Sequence, residues 1–269
     1  MTPKQASYII TWRENSDSDR RANLLTVLAW LARVSELEVI VVEQDAIPRI
    51  QEALPDAGCK WIFAYNPGPF NKSWGFNVGV RYCSTPILGF GDADLIVDGV
   101  LAQCIAYCAR GIQTLKPYRR LIDLTPEETA IVRGGNYGFQ PSRSEASAPN
   151  REPRGEFVVF GGGLFFMRTD AFRQVGGWDE RFVGWGGEDD AMTYKIERSR
   201  LSAVELDEHP AIHLWHRRSP EATSGQPAYA DNCALLAAYR HYTDPQLRRL
   251  ADVQLQMCGR REKYRPEEL

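Results

Sequence analysis

The feature that most constrains this chain is a regular alternation of strand and helix periods through its first hundred residues. Tyr8-Ile9-Ile10-Thr11-Trp12 reads as a buried strand, and residues 23–34 place Leu24, Leu25, Val27, Leu28 and Leu31 at helical spacing. Residues 37–42 form a β-branched run and 61–65 another, with a weak helix at 48–54 between them. A helix at 77–83 then leads to the strand Pro86-Ile87-Leu88-Gly89-Phe90, which closes on Gly91-Asp92. Strand, helix and strand in this order predict right-handed parallel crossovers and a nucleotide-type α/β sheet.

Beyond a helix at 100–110 the pattern breaks. Residues 133–156 are rich in Gly, Ser, Pro, Asn and Arg, so a long loop is expected, either a lid or a disordered insertion. Its four arginines (Arg133, Arg143, Arg151 and Arg154) give it charge that suits a diphosphate or an anionic acceptor. Val158-Val159-Phe160 resumes a strand that Gly161-Gly162-Gly163 ends. Helices are expected at 169–175, with Thr169 or Asp170 as cap, and at 189–200, then a short strand at 211–215. The segment 231–257 is helical with a break near Asp244-Pro245. The simplest account is one α/β domain over 1–230, divided into halves at 1–98 and 99–230, followed by a helical C-terminal tail at 231–269.

Composition excludes several alternatives. A net charge of −3 and a pI near 5.9 argue against a nucleic-acid binder. The six cysteines lack the two-residue gap of a zinc knuckle or redox motif, and Cys104 and Cys108 read as small buried hydrophobes on one helix face. There is no signal-peptide pattern and no apolar run of ~20 residues, so the expectation is a cytoplasmic protein without a transmembrane segment. An acceptor carried on a membrane, with the protein peripheral to it, stays compatible with that.

Three constellations carry chemistry. Asp92-Ala93-Asp94 follows an apolar strand, where the carboxyl edge of an α/β sheet binds ligands and paired carboxylates suit a hard divalent cation. By itself such a pair is more often a surface turn. His213 and His216, three apart, can converge on one metal if the chain turns between them, or can be unrelated histidines at a strand end. Carboxylate and imidazole together favour Mn²⁺, with Mg²⁺ in its place, over thiolate-bound zinc. In Trp185-Gly186-Gly187-Glu188-Asp189-Asp190, glycines permit close approach to a ligand beside an aromatic ring. The acids that follow suit a helix N-terminus on structural grounds alone, yet one aimed into a cleft can act as a general base.

In this order and spacing the three constellations resemble the GT-A glycosyltransferases, above all the β-1,4-galactosyltransferases and the chondroitin-polymerase-type and polypeptide N-acetylgalactosaminyltransferase domains. The likeness runs from Phe70-Asn71-Lys72 and Asn77-Val78-Gly79, through the Asp-x-Asp and Phe160-Gly161-Gly162-Gly163, to His216. The Trp-Gly-Gly-Glu-Asp block is its most specific part.

The resemblance implies a mainly parallel sheet with flanking helices and a metal-dependent transfer of Gal, GalNAc or GlcNAc from a UDP-sugar to a carbohydrate or glycolipid hydroxyl. It implies Asp94 as the metal-binding acid, Asp92 on ribose or metal, and His216 and His213 as further ligands. Asp189 would be the base of an inverting displacement, although one resembling family retains configuration. Glu188, Gly187 and Trp185 would hold the acceptor, while Thr11, Arg13, Lys72, Asp92 and Ala93 would face the donor. Ala191 departs from the family by replacing a further acid, and the start Thr11-Trp12-Arg13-Glu14-Asn15 does not match the galactosyltransferase pattern. A sugar nucleotidyltransferase fits less well, because residues 11–21 hold arginines but no glycine. An inactive carbohydrate-binding relative could lose its acids, whereas this chain keeps all four.

Overall fold

The computed structural model describes residues 3–15, 17–55, 59–141, 160–217 and 225–265. Four parallel strands form the first half of the main sheet: β1 (Ala6–Trp12), β2 (Leu37–Asp45), β3 (Cys59–Tyr65) and β4 (Ile87–Gly91). They lie in the order β3-β2-β1-β4. The alternation within each strand assigns side chains to two faces. Tyr8, Ile10, Val39 and Val41 face the helices α1 (Ser18–Leu31) and α3 (Leu101–Ala109). Ile9, Ile40 and Val42 face α2 (Lys72–Val80) on the other side. Cys104 and Cys108 are buried in the first of these layers, as expected.

The sheet continues, with a change of direction, through strands the sequence only partly announces. Two three-residue strands follow α3, β6 (Thr114–Lys116) and β7 (Leu121–Asp123), and then α4 (Pro126–Arg133). Of the strand expected at 158–160 only Phe160 lies among the described residues, in a turn, and β8 spans Leu164–Arg168, after the glycines. The glycines lead into this strand, because the chain must turn beside Asp92 before it can pair antiparallel with β4. Val158 and Val159, and residues 142–156 of the expected lid, lie outside the described residues. β6 pairs antiparallel with β8 and parallel with β9 (Ala203–Glu205), completing seven strands among the described residues.

The helices α5 (Thr169–Gln174) and α6 (Glu188–Arg198) pack with α2 over a cluster that includes Phe76, Phe90, Phe165, Phe172 and Trp178. The ring of Phe90 sits 5.3 Å from those of Phe76 and Phe165, so the strand leading to Asp92 is fixed by aromatic packing. A second sheet joins β5 (Leu95–Ile96), β10 (Ala211–His213) and β7. Two helices end the described chain, α7 (Pro227–His241) and α8 (Asp244–Met257), with the expected break between them held by a Thr243–Gln246 capping box. Phe182 and Ala191 pack against Tyr239 and Leu247 of these helices.

Candidate active site

The small sheet brings Asp94 and the two histidines together. His213 pairs with Leu95 across β5 and β10, and the Leu214 amide donates to the Asp94 carbonyl at 2.8 Å. Between the histidines the chain is gripped from both sides. Asn23 of α1 donates to the carbonyls of Leu214 and Trp215, and the Trp215 amide donates to Thr129 of α4. His216 Nε2 then lies 3.1 Å from Asp94 Oδ2, and His213 Nε2 lies 3.5 Å from Asp94 Oδ1. One ligand atom from each of Asp94, His213 and His216 falls within 4.8 Å of the others, which is the donor set expected for a divalent cation. Burial alone would raise the Asp94 carboxyl; His213 and His216 outweigh it and hold the group well below the usual carboxylate range. The oxygen and imidazole donors, with no thiolate among them, fit Mn²⁺.

Asp92 points elsewhere. Lys72, the first residue of α2, places Nζ 3.0 Å from Asp92, 3.2 Å from Asp189 and 3.8 Å from Glu188. Asn71 sets this position: as N-cap it accepts from the Trp74 amide at 2.8 Å, while its side-chain amide donates to the Glu180 carbonyl. Asn77 likewise donates to the Trp178 carbonyl and accepts from its amide. Both asparagines therefore tie α2 to the segment that leads into the Trp-Gly-Gly-Glu-Asp block.

Gly187 caps α6 at φ 90°, with the Phe182 ring where a side chain would stand, so only glycine can start the helix here. The turn launches Glu188 and Asp189 toward Lys72. Burial, reinforced by Glu188 and Asp92 and opposed by Lys72, pushes Asp189 up to about 8. Burial also raises Glu188, against the pull of Lys72. The turn at Gly161-Gly162-Gly163 closes the arrangement from below, since the Asp92 amide donates to the Gly163 carbonyl and the Gly161 amide donates to Thr193 of α6.

The remaining expected residues occupy the rim. Trp185 is 46% exposed, and its ring stacks on Tyr229 at 5.3 Å and 19°. Ala93 packs against the core between the two acids. Thr11 accepts from Gln44 at 2.6 Å beneath α2. Arg13 donates to the carbonyls of Gln44, Asn66 and Gly68, so its guanidinium ties together the ends of the first three strands. With Glu14, Asn15, Asp45, Arg49 and Asn66 it lines a cavity of about 460 Å³ at the carboxyl edge of the sheet. Arg133, expected in the loop, instead ends α4 and pairs with Asp19 at 2.8 Å.

Sequence reasoning missed three residues. Asp123 Oδ1 lies 2.9 Å from His213 Nδ1. Lys116 is fully buried and donates to the Gly162 carbonyl at 3.2 Å; burial lowers it to about 8. Tyr229 comes from α7, well outside the motif that contains Trp185. The Leu121-Ile122-Asp123-Leu124 run, followed by Thr-Pro-Glu-Glu, is a readable strand-to-helix signal. Nothing in Thr-Leu-Lys-Pro marks a buried lysine.

Comparison with known proteins bears on the family and the fold. Residues 143–217 match a family model described as the N-terminal domain of galactosyltransferase. The chain is 26% identical over 236 residues to validoxylamine A glucosyltransferase of Streptomyces hygroscopicus subsp. jinggangensis (strain 5008), covering 76% of this chain and 55% of that protein. It is also 26% identical over 153 residues to human chondroitin sulfate N-acetylgalactosaminyltransferase 1, covering 56% of this chain and 28% of that one. The chain thus spans about half the length of the first relative and less than a third of the second. Among solved structures, GalNAc-T7 with UDP, GalNAc and Mn²⁺ superposes with a TM-score of 0.61 at 14% identity, over 93% of this chain and 55% of that one. The fold is that of the GT-A glycosyltransferases, and the chain's relatives in sequence are glycosyltransferases.

Proposed function

We propose that this chain is a metal-dependent glycosyltransferase that moves a hexosyl group from a UDP-sugar to a hydroxyl of a carbohydrate or glycolipid. The observation that carries the reading is the meeting of two charged groups at one sheet edge. The Asp94–His213–His216 trio adjoins, through Asp92, the three carboxylates gathered by Lys72. The cavity at the ends of β1, β2 and β3 lies where nucleotides bind in open α/β sheets, which supports reading residues 1–98 as the nucleotide-binding half, with 99–230 as the acceptor and catalytic half.

Asp94, His213 and His216 would hold Mn²⁺, or Mg²⁺ in its place, which when bound neutralises charge on the departing diphosphate. Lys72 offsets the repulsion that three carboxylates would otherwise exert on a phosphate donor. Asp189 takes the proton from the attacking hydroxyl, and Glu188 holds the acceptor sugar beside it. Trp185 and Gly187 shape the acceptor wall, with the indole offering an apolar face to a sugar ring. With one base on the attacking side, a single displacement inverts the anomeric centre. The relatives include a glucosyltransferase and an N-acetylgalactosaminyltransferase, so the hexose is the variable to screen.

Thermal shift with UDP-Gal, UDP-GalNAc, UDP-GlcNAc and UDP-Glc, each with and without Mn²⁺, tests the proposal. At about 100 times the dissociation constant a donor adds about 2.7 kcal/mol, a rise in Tm of about 5 °C for a chain of this size. No shift with any of the four, or the same shift after exhaustive chelation, would count against it.

A further inference from the structure

We propose that Asp123 is the positioning residue that makes His213 a metal ligand, by holding the ring through Nδ1 so that Nε2 faces Asp94 and His216. This rests on the reading of that trio as a divalent-cation site. An imidazole offers one lone pair when neutral, and the hydrogen bond made by one nitrogen decides which nitrogen is left to coordinate. Asp123 Oδ1 lies 2.9 Å from His213 Nδ1, while Nε2 of the same ring lies 3.5 Å from Asp94. The assignment of the two nitrogens is therefore already drawn in the geometry.

The backbone explains why the contact is fixed. β7 and β10 run parallel with Asp123 and His213 as Cα partners, and the Leu124 amide donates to the His213 carbonyl at 2.9 Å. α4, beginning at Pro126 behind a Thr125–Glu128 capping box, anchors the far side of Asp123. Thr129 of that helix accepts from the Trp215 amide, so one short segment braces both the ligand ring and the turn to His216. Both side chains are about four-fifths buried, which shields the carboxylate's pull on the ring from solvent. Such a carboxylate orients the ring and makes it a stronger donor, and its loss typically weakens metal affinity about 10- to 100-fold.

The test is Mn²⁺ titration of the full chain, followed by electron paramagnetic resonance of free Mn²⁺, with and without saturating UDP. Asp123→Ala should weaken binding about 10- to 100-fold. Asp123→Asn should recover part of the loss, because its amide oxygen still accepts from Nδ1, and this variant carries the test should the alanine form fail to fold. In a His213→Ala background, Asp123→Ala should cost nothing more, since the partner it serves is gone. Wild-type affinity in both Asp123 variants, or an undiminished loss in the His213→Ala background, would overturn the assignment. A wild-type chain that takes no Mn²⁺ overturns the metal reading itself, a result distinct from either of those.

Discussion

Asp189 is caught between two opposed influences. As a residue of the first turn of α6 it sits where the helix dipole favours a negative charge. Burial wins over both the dipole and Lys72, so the carboxyl titrates at about 8 and is largely protonated at neutral pH in the free protein. The unfolded value is about 3.9, so folding favours the protonated form. The stabilisation this confers is complete below about pH 4 and is lost as pH rises through 8. Asp189→Asn should therefore be more stable than the parent above pH 8 in a metal-free urea melt. The same substitution should leave UDP binding intact and cut sugar transfer about 10²- to 10⁴-fold. Because a base must be ionised to accept a proton, the parent's transfer rate should climb with pH and level off above 8. Near-normal turnover in the variant, or a flat profile from pH 6 to 9, would remove Asp189 from the role of base.

At the scale of the element, α2 shows how the site is held and how much of it could be read in advance. The helix lies so close to β1 and β2 that a Cβ on Gly75 would fall within 3 Å of Thr11 and Gln44 side-chain atoms. Gly75→Ala should thus cost about 1–3 kcal/mol by overpacking, despite alanine's better helix propensity, and should also weaken donor binding by shifting Lys72. A denaturant melt at least as stable as the parent would show that the packing yields more easily than this.

From sequence the helix was expected at 77–83, because its apolar period is clear only there; the observed start at Lys72 depends on the Asn71 cap. The early strands were legible because long β-branched runs fix both type and direction. β6, β7 and β9 have three residues each, too few for a period, and owe their existence to neighbours already in place. The same logic divides the site. The Asp-x-Asp, the histidine pair and the Gly-Gly-Glu-Asp turn announce themselves by local spacing. Asp123, Lys116 and Tyr229 join only through tertiary contacts with elements far away in the chain.

Across the whole molecule, the C-terminal segment closes the circuit between the two halves of the site. After α8 the Gly259 amide donates to Glu180 at 2.5 Å, and the Arg260 carbonyl accepts from Trp74 Nε1 at 2.8 Å. Tyr264 stands edge-on to the Trp74 indole at 4.9 Å and accepts, through its hydroxyl, from Asn71 at 3.0 Å. Lys263 adds an ion pair with Glu180 at 3.0 Å. Asn71 caps the helix that presents Lys72, and Glu180 precedes the turn that presents Glu188 and Asp189, so both carboxylate and ammonium depend on this segment. Tyr264→Phe removes one hydrogen bond and should cost about 1 kcal/mol. Tyr264→Ala also removes the ring from Trp74 and should cost about 2–3 kcal/mol. If the segment acts on the site and not only on stability, the alanine variant should lose donor affinity at temperatures well below its melting transition. Unchanged UDP-sugar binding in a folded Tyr264→Ala protein would confine the segment to a stabilising role.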